Sequence, residues 1–309
     1  NRYTFNSLIA GLCKVGKVHH TGPLLLEMVG IGGNPDTCTY NILLKAFCGL
    51  GKTHVAKQCL QAMIKKGCFP DIVTYNILIA GLCATGQDDN AFGLVSTMQE
   101  KGISPNSVTF TCILKACGNI GATEKAQILH AEIERMGLLE ENVLIGTSLV
   151  DMYAKCGAIE KAQEVFNNLP VRDIICWTAL IAGYAQLGKD VMAIDLFSKM
   201  VIEGIDPNPI VFTVLLNACS HSGLIEEGQT FFETMRSVYG IMPNLEHYLC
   251  MIDVFVRSGL FHKALLIIEK LPILDARAVW TVLLGACQKW GNLKLAGLAF
   301  ENALQQSDE

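Results

Sequence analysis

Glycine recurs along this chain on a nearly fixed period. Gly16, Gly51, Gly86, Gly121, Gly157, Gly188, Gly223, Gly259 and Gly291 stand 35, 35, 35, 36, 31, 35, 36 and 32 residues apart. The surrounding text repeats as well: TYNILLKAFCGLG from Thr39 returns thirty-five residues later as TYNILIAGLCATG. Self-similarity at such a period restricts the chain to a repeat architecture, one supersecondary unit stacked on copies of itself. Each glycine lies between two runs of about a dozen helix-compatible residues. A residue tolerant of left-handed backbone at that point predicts a helix-turn-helix joint. About eleven places before the glycine an aromatic residue stands in eight copies of nine: Phe5, Tyr40, Tyr75, Phe110, Trp177, Phe212, Tyr248 and Trp280, with Gly146 in its place in the fifth. Five places after the glycine, Ala56, Ala91, Ala126, Ala162, Ala193, Ala264 and Ala296 let paired helices approach closely. Pro35, Pro70 and Pro105 are expected to end the second helix of their copies, because proline cannot continue one.

This register gives nine helix pairs, roughly 2–36, 37–71, 72–106, 107–142, 143–173, 174–208, 209–244, 245–276 and 277–309. The expected fold is all-α, a right-handed solenoid. A pair cannot hide its apolar faces alone, and stacking them into one continuous core accounts for a hydrophobic content of 51%. The apolar stretches, such as Ile174–Ala185, are too short and too interrupted to span a bilayer, so no membrane partner is expected. Thirteen cysteines without a close CxxC pair fit a reducing compartment and a packing role. They obey the register: Cys13, Cys48 and Cys83 share one place, and Cys117, Cys219 and Cys287 the adjacent one. A net charge of -5 offers no bulk attraction to nucleic acid, so any such attraction has to come from one face. Neither a secretory signal nor an Arg/Ser-rich transit segment opens the chain, and a targeting segment is expected to have been removed or left out. The terminal copies lack an evident polar cap, which leads us to expect either truncation or end-to-end self-association.

A thirty-five-residue helix pair opening VTYN or VTFT, with GLCK.G and G..P(D/N), resembles the pentatricopeptide repeat family over the whole chain. The W…LG…Y pattern of the neighbouring tetratricopeptide family is not found. Residues 1–106 resemble three plain P-type repeats. Residues 107–276, with LVDMYAKCGAIEKAQEVF, LLNACSHSGLIEEGQTFF and EHYLCMIDVFVRSGLFHKA, resemble the long and short variants of the plant PLS subclass. Residues 277–309, with AVWTVLLGACQKWGNLKLAGLAFENAL, resemble the E1 motif that follows such repeats. No second E motif or DYW deaminase domain is seen before the chain ends at Glu309. The resemblance implies a non-enzymatic, organellar C-to-U RNA-editing specificity factor, in chloroplast or mitochondrion, whose E1 region recruits a deaminase from another chain. No cofactor is implied. A P-type role in RNA stabilisation, splicing or translation is the alternative within the class, and a peptide-binding groove the alternative outside it.

The resemblance further implies that each repeat faces one base of single-stranded RNA. The fifth residue and the last residue of the repeat would meet the base edge, and the second would wedge between bases. The fifth places hold Asn6, Asn41, Asn76, Thr111, Thr147, Thr178, Thr213, Leu249 and Thr281; the last places hold Asp36, Asp71, Asn106, Asn142, Asp173, Asn208, Asn244 and Ala276. Short polar side chains recur there on otherwise apolar helices. An ionised Asp only accepts hydrogen bonds and suits the ring N–H of U or G, whereas Asn both donates and accepts and suits A or C. By the family's code, Asn at the fifth place favours pyrimidines and Thr purines. Asn6/Asp36 and Asn41/Asp71 then read U, Asn76/Asn106 reads C with U poorly separated, Thr111/Asn142 A, Thr147/Asp173 G, and Thr178/Asn208 and Thr213/Asn244 A. The implied target is 5′-UU(C/U)AGAA-3′. Leu249/Ala276 has no side-chain hydrogen bonding and is expected to be silent. The wedges would be Tyr3, Cys38, Val73, Val108, Leu144, Ile175 and Ile210, although such residues also suit the filling of gaps between repeats. Lys14, Lys155, Arg257 and Lys289 share one place near the end of the first helix, where they could meet phosphates.

Two short motifs carry no chemistry. GLGKT at Gly49–Thr53 lacks the leading glycine of a phosphate-binding loop, since Ala46 stands there inside a predicted helix. His130-Ala131-Glu132 lacks the P-C-x-x-C partner of a zinc deaminase. His19, His20, His54, His221, His247 and His262 show no metal-ligand spacing.

Overall fold

The computed structural model describes residues 2–268 together with Trp280, Leu284, Ala296, Gly297 and Phe300. Every regular element among them is a helix. The chain forms two compact units, Asn1–Ala158 and Ile159–Glu309. The first holds α1 (Arg2–Lys14), a 3-10 turn at Val18–His20, α2 (Thr21–Gly30), α3 (Thr37–Gly49), α4 (Thr53–Lys65), α5 (Ile72–Ala84), α6 (Asp88–Glu100), α7 (Ser107–Ile120), α8 (Thr123–Arg135), the single turn α9 (Leu138–Glu141) and α10 (Val143–Lys155). The second holds α11 (Ile159–Asn168), α12 (Ile174–Gln186), α13 (Asp190–Ile202), α14 (Pro209–Ser222), α15 (Ile225–Ser237), α16 (Leu245–Arg257) and α17 (Phe261–Ile268).

Within each unit the opening helices of successive pairs stack directly: α1 on α3, α5, α7 and α10 in turn, and α12 on α14 and α16. The closing helices α4, α6, α8, α13 and α15 each pack on the opening helix of their own pair and on the next opening helix. The sequence difference between the two kinds follows. Sandwiched α5 buries Thr74, Tyr75, Leu78, Ile79, Gly81 and Leu82 around most of its circumference, whereas outer α8 buries only Ala126 and Ile133 along one stripe. The predicted aromatic and small places are core: Tyr75, Phe110, Trp177 and Phe212 are buried, as are Ala56, Ala91, Ala126, Ala162, Ala193 and Ala264. Thr21 and Gly228, which stand at the small-residue place in the first and seventh copies, are buried too. The in-pair glycines do turn the chain; Gly121 closes α7 with φ 65 and ψ 27, and its N–H satisfies carbonyls of the last turn.

The prolines do not terminate the closing helices. α2, α4 and α6 stop at Gly30, Lys65 and Glu100, several residues before Pro35, Pro70 and Pro105. A second left-handed glycine does the stopping: after α4, Gly67 takes φ 75 and its N–H reaches back to Ile64 O at 3.0 Å. Each proline instead sits just before the residue that opens the next helix, where its fixed φ guides an extended approach.

Among the described residues every cysteine but exposed Cys38 is buried or half-buried. Burial pushes the thiols of Cys48 and Cys59 up to about 11 and those of Cys83, Cys117, Cys219 and Cys250 up to about 12. No helix among the described residues is long and apolar enough to cross a membrane.

Candidate nucleic-acid interface

The described residues expected at the last place of a repeat prove to be helix N-caps. Asp36, Asp71 and Asn106 have extended backbone and accept the N–H of Thr39, Thr74 and Thr109 at 2.9, 2.8 and 3.2 Å. In return each cap N–H donates to the threonine hydroxyl, completing a reciprocal capping box. Asp173, Asn208 and Asn244 cap α12, α14 and α16 in the same way through the N–H of Cys176, Val211 and His247. Asn142 differs: it accepts from Leu144 N, two residues on, because the extra turn α9 changes the approach to α10. Short Asp and Asn at these places are thus demanded by capping alone. What capping leaves free is the choice between them.

The described fifth-place residues lie one turn into the opening helices, partly exposed except for buried Thr147. The structure joins two of the expected pairs directly. Asn41 Nδ2 donates to Asp71 Oδ1 at 3.3 Å and Asn76 Nδ2 to Asn106 Oδ1 at 3.1 Å. Asn6 and Asp36 meet through Thr39, whose hydroxyl lies 2.7 Å from Asn6 Oδ1 and 2.9 Å from Asp36 Oδ1. The threonines behave otherwise. Thr111, Thr178 and Thr213 donate their hydroxyls to Ser107 O, Ile174 O and Pro209 O, one turn back on their own helices. Thr147 and Asp173 belong to different compact units.

Burial opposes ionisation at Asp36, yet the Thr39 N–H and hydroxyl, Arg2 and Asn6 hold its carboxyl below the usual range. Asp71 is held low against the same burial by Thr74, Asn41 and its own N–H. Both are carboxylates near neutral pH and can only accept. Arg2 Nε lies 3.2 Å from Asp36 Oδ2.

The second-place residues are exposed. Tyr3, Val73, Val108, Leu144, Ile175 and Ile210 keep between 51% and 78% of their surface, and Cys38 is exposed as well. Side chains that filled gaps between repeats would be covered; these stand out at a fixed register beside the polar pairs. One open cleft is lined by Tyr3, Asn6, Asp36, Cys38 and Ile42, and a second by Cys38, Asn41, Lys45, Asp71, Val73 and Ile77. Each cleft is a slot that brings a polar pair together with two exposed second-place side chains.

The expected phosphate contacts are mixed. Lys14 is exposed at the end of α1. Lys155 and Arg257 are each matched 2.7 Å away by an acid one turn earlier, Asp151 and Asp253. Lys289, Thr281 and Ala276 lie outside the described residues, as does nearly all of the segment 277–309. Leu249 is partly buried against the core around Met251 and Phe255. Lys45 was missed by sequence reasoning, although it stands one turn after Asn41 on the same helix face; it lines the second slot and the adjoining cleft that holds Lys14. His130 is engaged within the first unit by Tyr153 Oη at 3.1 Å and Glu134 at 3.5 Å. Among the described residues no group of three His, Cys, Asp or Glu side chains could hold a metal ion.

Comparison with known proteins accords with this register. One model of the PPR repeat family matches residues 1–49, 35–84, 70–119 and 172–221, and a PPR repeat model matches 108–138, 147–174, 210–238 and 246–272. A pentatricopeptide repeat-containing protein of Arabidopsis thaliana, called mitochondrial in its name, is 40% identical over 186 residues, covering 60% of this chain and 28% of its own. Another from the same plant is 44% identical over 180 residues, covering 58% of this chain and 28% of its own. The matched stretch therefore spans only about a quarter of the length of these relatives. The crystal structure of the maize pentatricopeptide repeat protein PPR10 superposes with a TM-score of 0.54 at 19% identity, covering 98% of this chain and 53% of that one. PPR10 in complex with an 18-nt psaJ RNA element gives 0.53 at 18%, covering 99% and 56%. With a family model matching more than half of its residues, this chain, an α-solenoid of stacked helix pairs, belongs to the PPR repeat family.

Proposed function

We propose that the chain binds single-stranded RNA, one base per repeat, with the preference 5′-UU(C/U)AGAA-3′. The observation that carries this is the second slot, which brings Asn41 and Asp71 together with exposed Cys38 and Val73. A splayed base fits between two apolar side chains and offers its Watson–Crick edge to the pair, the mode by which repeat proteins read single strands. Asn41 supplies an N–H and Asp71 an acceptor, which complements the carbonyl and ring N–H of U. Thr111, Thr178 and Thr213 spend their hydroxyl hydrogen on their own helix and offer a lone pair instead, so the two reader types present different chemistry. Lys14 and Lys45 would meet the phosphates beside the first slots. The like-folded maize protein holding an RNA element supports the same reading.

The cellular role we infer is that of an organellar C-to-U editing specificity factor whose 277–309 region recruits a deaminase in trans. PLS-like and E1-like sequence motifs support it, and the mitochondrial designation of relatives supports an organellar setting. The test is binding at one salt concentration to UUCAGAA RNA, to a scrambled RNA and to the DNA version. Tight binding to the first alone is expected; equal binding to all three would overturn the reading.

A further inference from the structure

The third residue of a repeat contacts the reader of the repeat before it. Thr39, Thr74 and Thr109 are almost wholly buried, and their hydroxyls lie 2.7, 2.7 and 2.6 Å from the Oδ1 atoms of Asn6, Asn41 and Asn76. The hydroxyl accepts the cap N–H, so its own single hydrogen is left to donate. For Thr74 that hydrogen faces two acceptors, Asn41 Oδ1 at 2.7 Å and Asp71 Oδ1 at 2.8 Å; Asp71 Oδ1 also receives the Thr74 N–H and Asn41 Nδ2, whereas the hydroxyl is the only donor to Asn41 Oδ1 among the described residues. The network therefore sets the amide: Oδ1 is held by the threonine and Nδ2 is turned toward the cap and the slot.

The sequence keeps the two residues together. Readers Asn6, Asn41 and Asn76 are each followed one repeat later by Thr39, Thr74 and Thr109. Readers Thr111, Thr147, Thr178 and Thr213 are followed by Ile145, Cys176, Val211 and His247. The physical reason lies in the readers. A threonine hydroxyl reaches the carbonyl one turn back on its own helix, as Thr111 and Thr178 do at 2.8 and 2.6 Å, and so orients itself. In these repeats the asparagine amide takes its orientation from the neighbouring repeat, because an amide has two ends of similar shape and opposite hydrogen-bonding sense. His247 takes a third course: Nδ1 accepts the Asn244 N–H, leaving Nε2–H to donate to Pro209 O at 2.9 Å beside Thr213.

We propose that Thr39, Thr74 and Thr109 are positioning residues for base discrimination in the repeat that precedes each of them, fixing which end of the reading asparagine faces the ligand. This rests on the one-base-per-repeat reading above. Its distinguishing consequence is an offset: a substitution in the third repeat changes selectivity at the base facing the second.

The test uses the full chain and seven-nucleotide RNAs varied one place at a time, with wild type, Thr74→Val, Thr74→Ser and Thr109→Val. Val211 already occupies this place in the seventh repeat, so the fold accommodates valine there. The expected result is that Thr74→Val lowers the preference for U over other bases at the second place by about three- to tenfold, the range of one lost hydrogen bond. Preferences at the third and later places stay as they are. Thr109→Val does the same one place later and remains informative should Thr74→Val fold poorly. Thr74→Ser, which keeps the hydroxyl, behaves as wild type. Wild-type selectivity unchanged by both valine variants, or altered at the third place by Thr74→Val, would overturn the positioning role alone. A wild-type chain without preference at any place would overturn the reading and this inference with it.

Discussion

Asn76 Nδ2 donates to Asn106 Oδ1 at 3.1 Å, joining two residues thirty positions apart in the chain. Both members are amides, so neither is an obligate acceptor, and the proposed reading expects little separation of U from C there. Asn106→Asp keeps an equally good cap and makes the second member acceptor-only. The expected outcome is a shift toward U at the third place of about five- to tenfold, read by binding to UUUAGAA against UUCAGAA.

Asp71 caps α5 and, on the proposed reading, also meets a base, two roles that substitution can separate. Asp71→Ala should cost about 1 kcal/mol of stability through the lost cap, and should abolish the U preference at the second place. Asp71→Asn should cost no more than about 0.5 kcal/mol, and should move the preference toward C. Urea unfolding beside RNA binding checks both arms.

The exposed second-place residues make the opposite separation. Val73→Ser and Ile175→Ser change side chains that keep 51% and 56% of their surface exposed. Stability should stay within about 0.5 kcal/mol of wild type. RNA affinity should fall by about three- to tenfold, a fraction of the 1–3 kcal/mol typical of base stacking on aromatic side chains. Thermal melts with titrations against the same RNA decide it.

The carboxyls of Asp36 and Asp71 are held below 3.8 in the folded chain. A depressed folded value means that the stability they add is present above the unfolded value and is lost as pH falls through the folded one. Their contribution should therefore be constant from neutral pH to about 5 and vanish well below 3.8. Denaturant midpoints of wild type against the double variant Asp36→Asn/Asp71→Asn should converge there.

Asp88 sits at the start of α6 under the opposite pressure. Burial, and then Asp89 beside it, pushes its carboxyl above the usual range, and its Oδ1 finds no partner. Thr53 and Thr123 hold the same place after their glycines. Asp88→Thr should raise stability near neutral pH by about 1 kcal/mol, the scale of one unsatisfied buried group. The gain should shrink as pH falls, because the wild-type carboxyl then becomes neutral. Melting curves at two pH values test the sign.

The helix pairs were legible because glycine, aromatic and alanine each mark a place that backbone geometry or close packing imposes, and these recur at Gly121, Tyr75 and Ala91 alike. Prolines misled because Pro70 is a start signal for α5, not a stop for α4; the stop, Gly67, belongs to a second glycine series with the same period. Capping by Asp71 was legible in principle, since Asp-x-x-Thr before an apolar run is a helix-start pattern. The matching of Lys155 by Asp151 and of Arg257 by Asp253 was also readable as i, i+4 spacing. The grip of Thr74 on Asn41 was not, because it crosses thirty-three residues and exists only once two helices are stacked.

In the first three repeats the cap of the next opening helix meets the reader before it, directly or through the following threonine, so on the proposed reading a recognition unit straddles the seam between helix pairs. If the C-terminal end of the array frays by one helix pair, that reading loses two adjacent letters rather than one: the letter of the pair that melts and the letter of its still-folded neighbour, stripped of its partner. Repeats cut and rejoined at the helix boundary would inherit the same mismatch, and a transplanted letter stays intact only when the first three residues of the following copy travel with it.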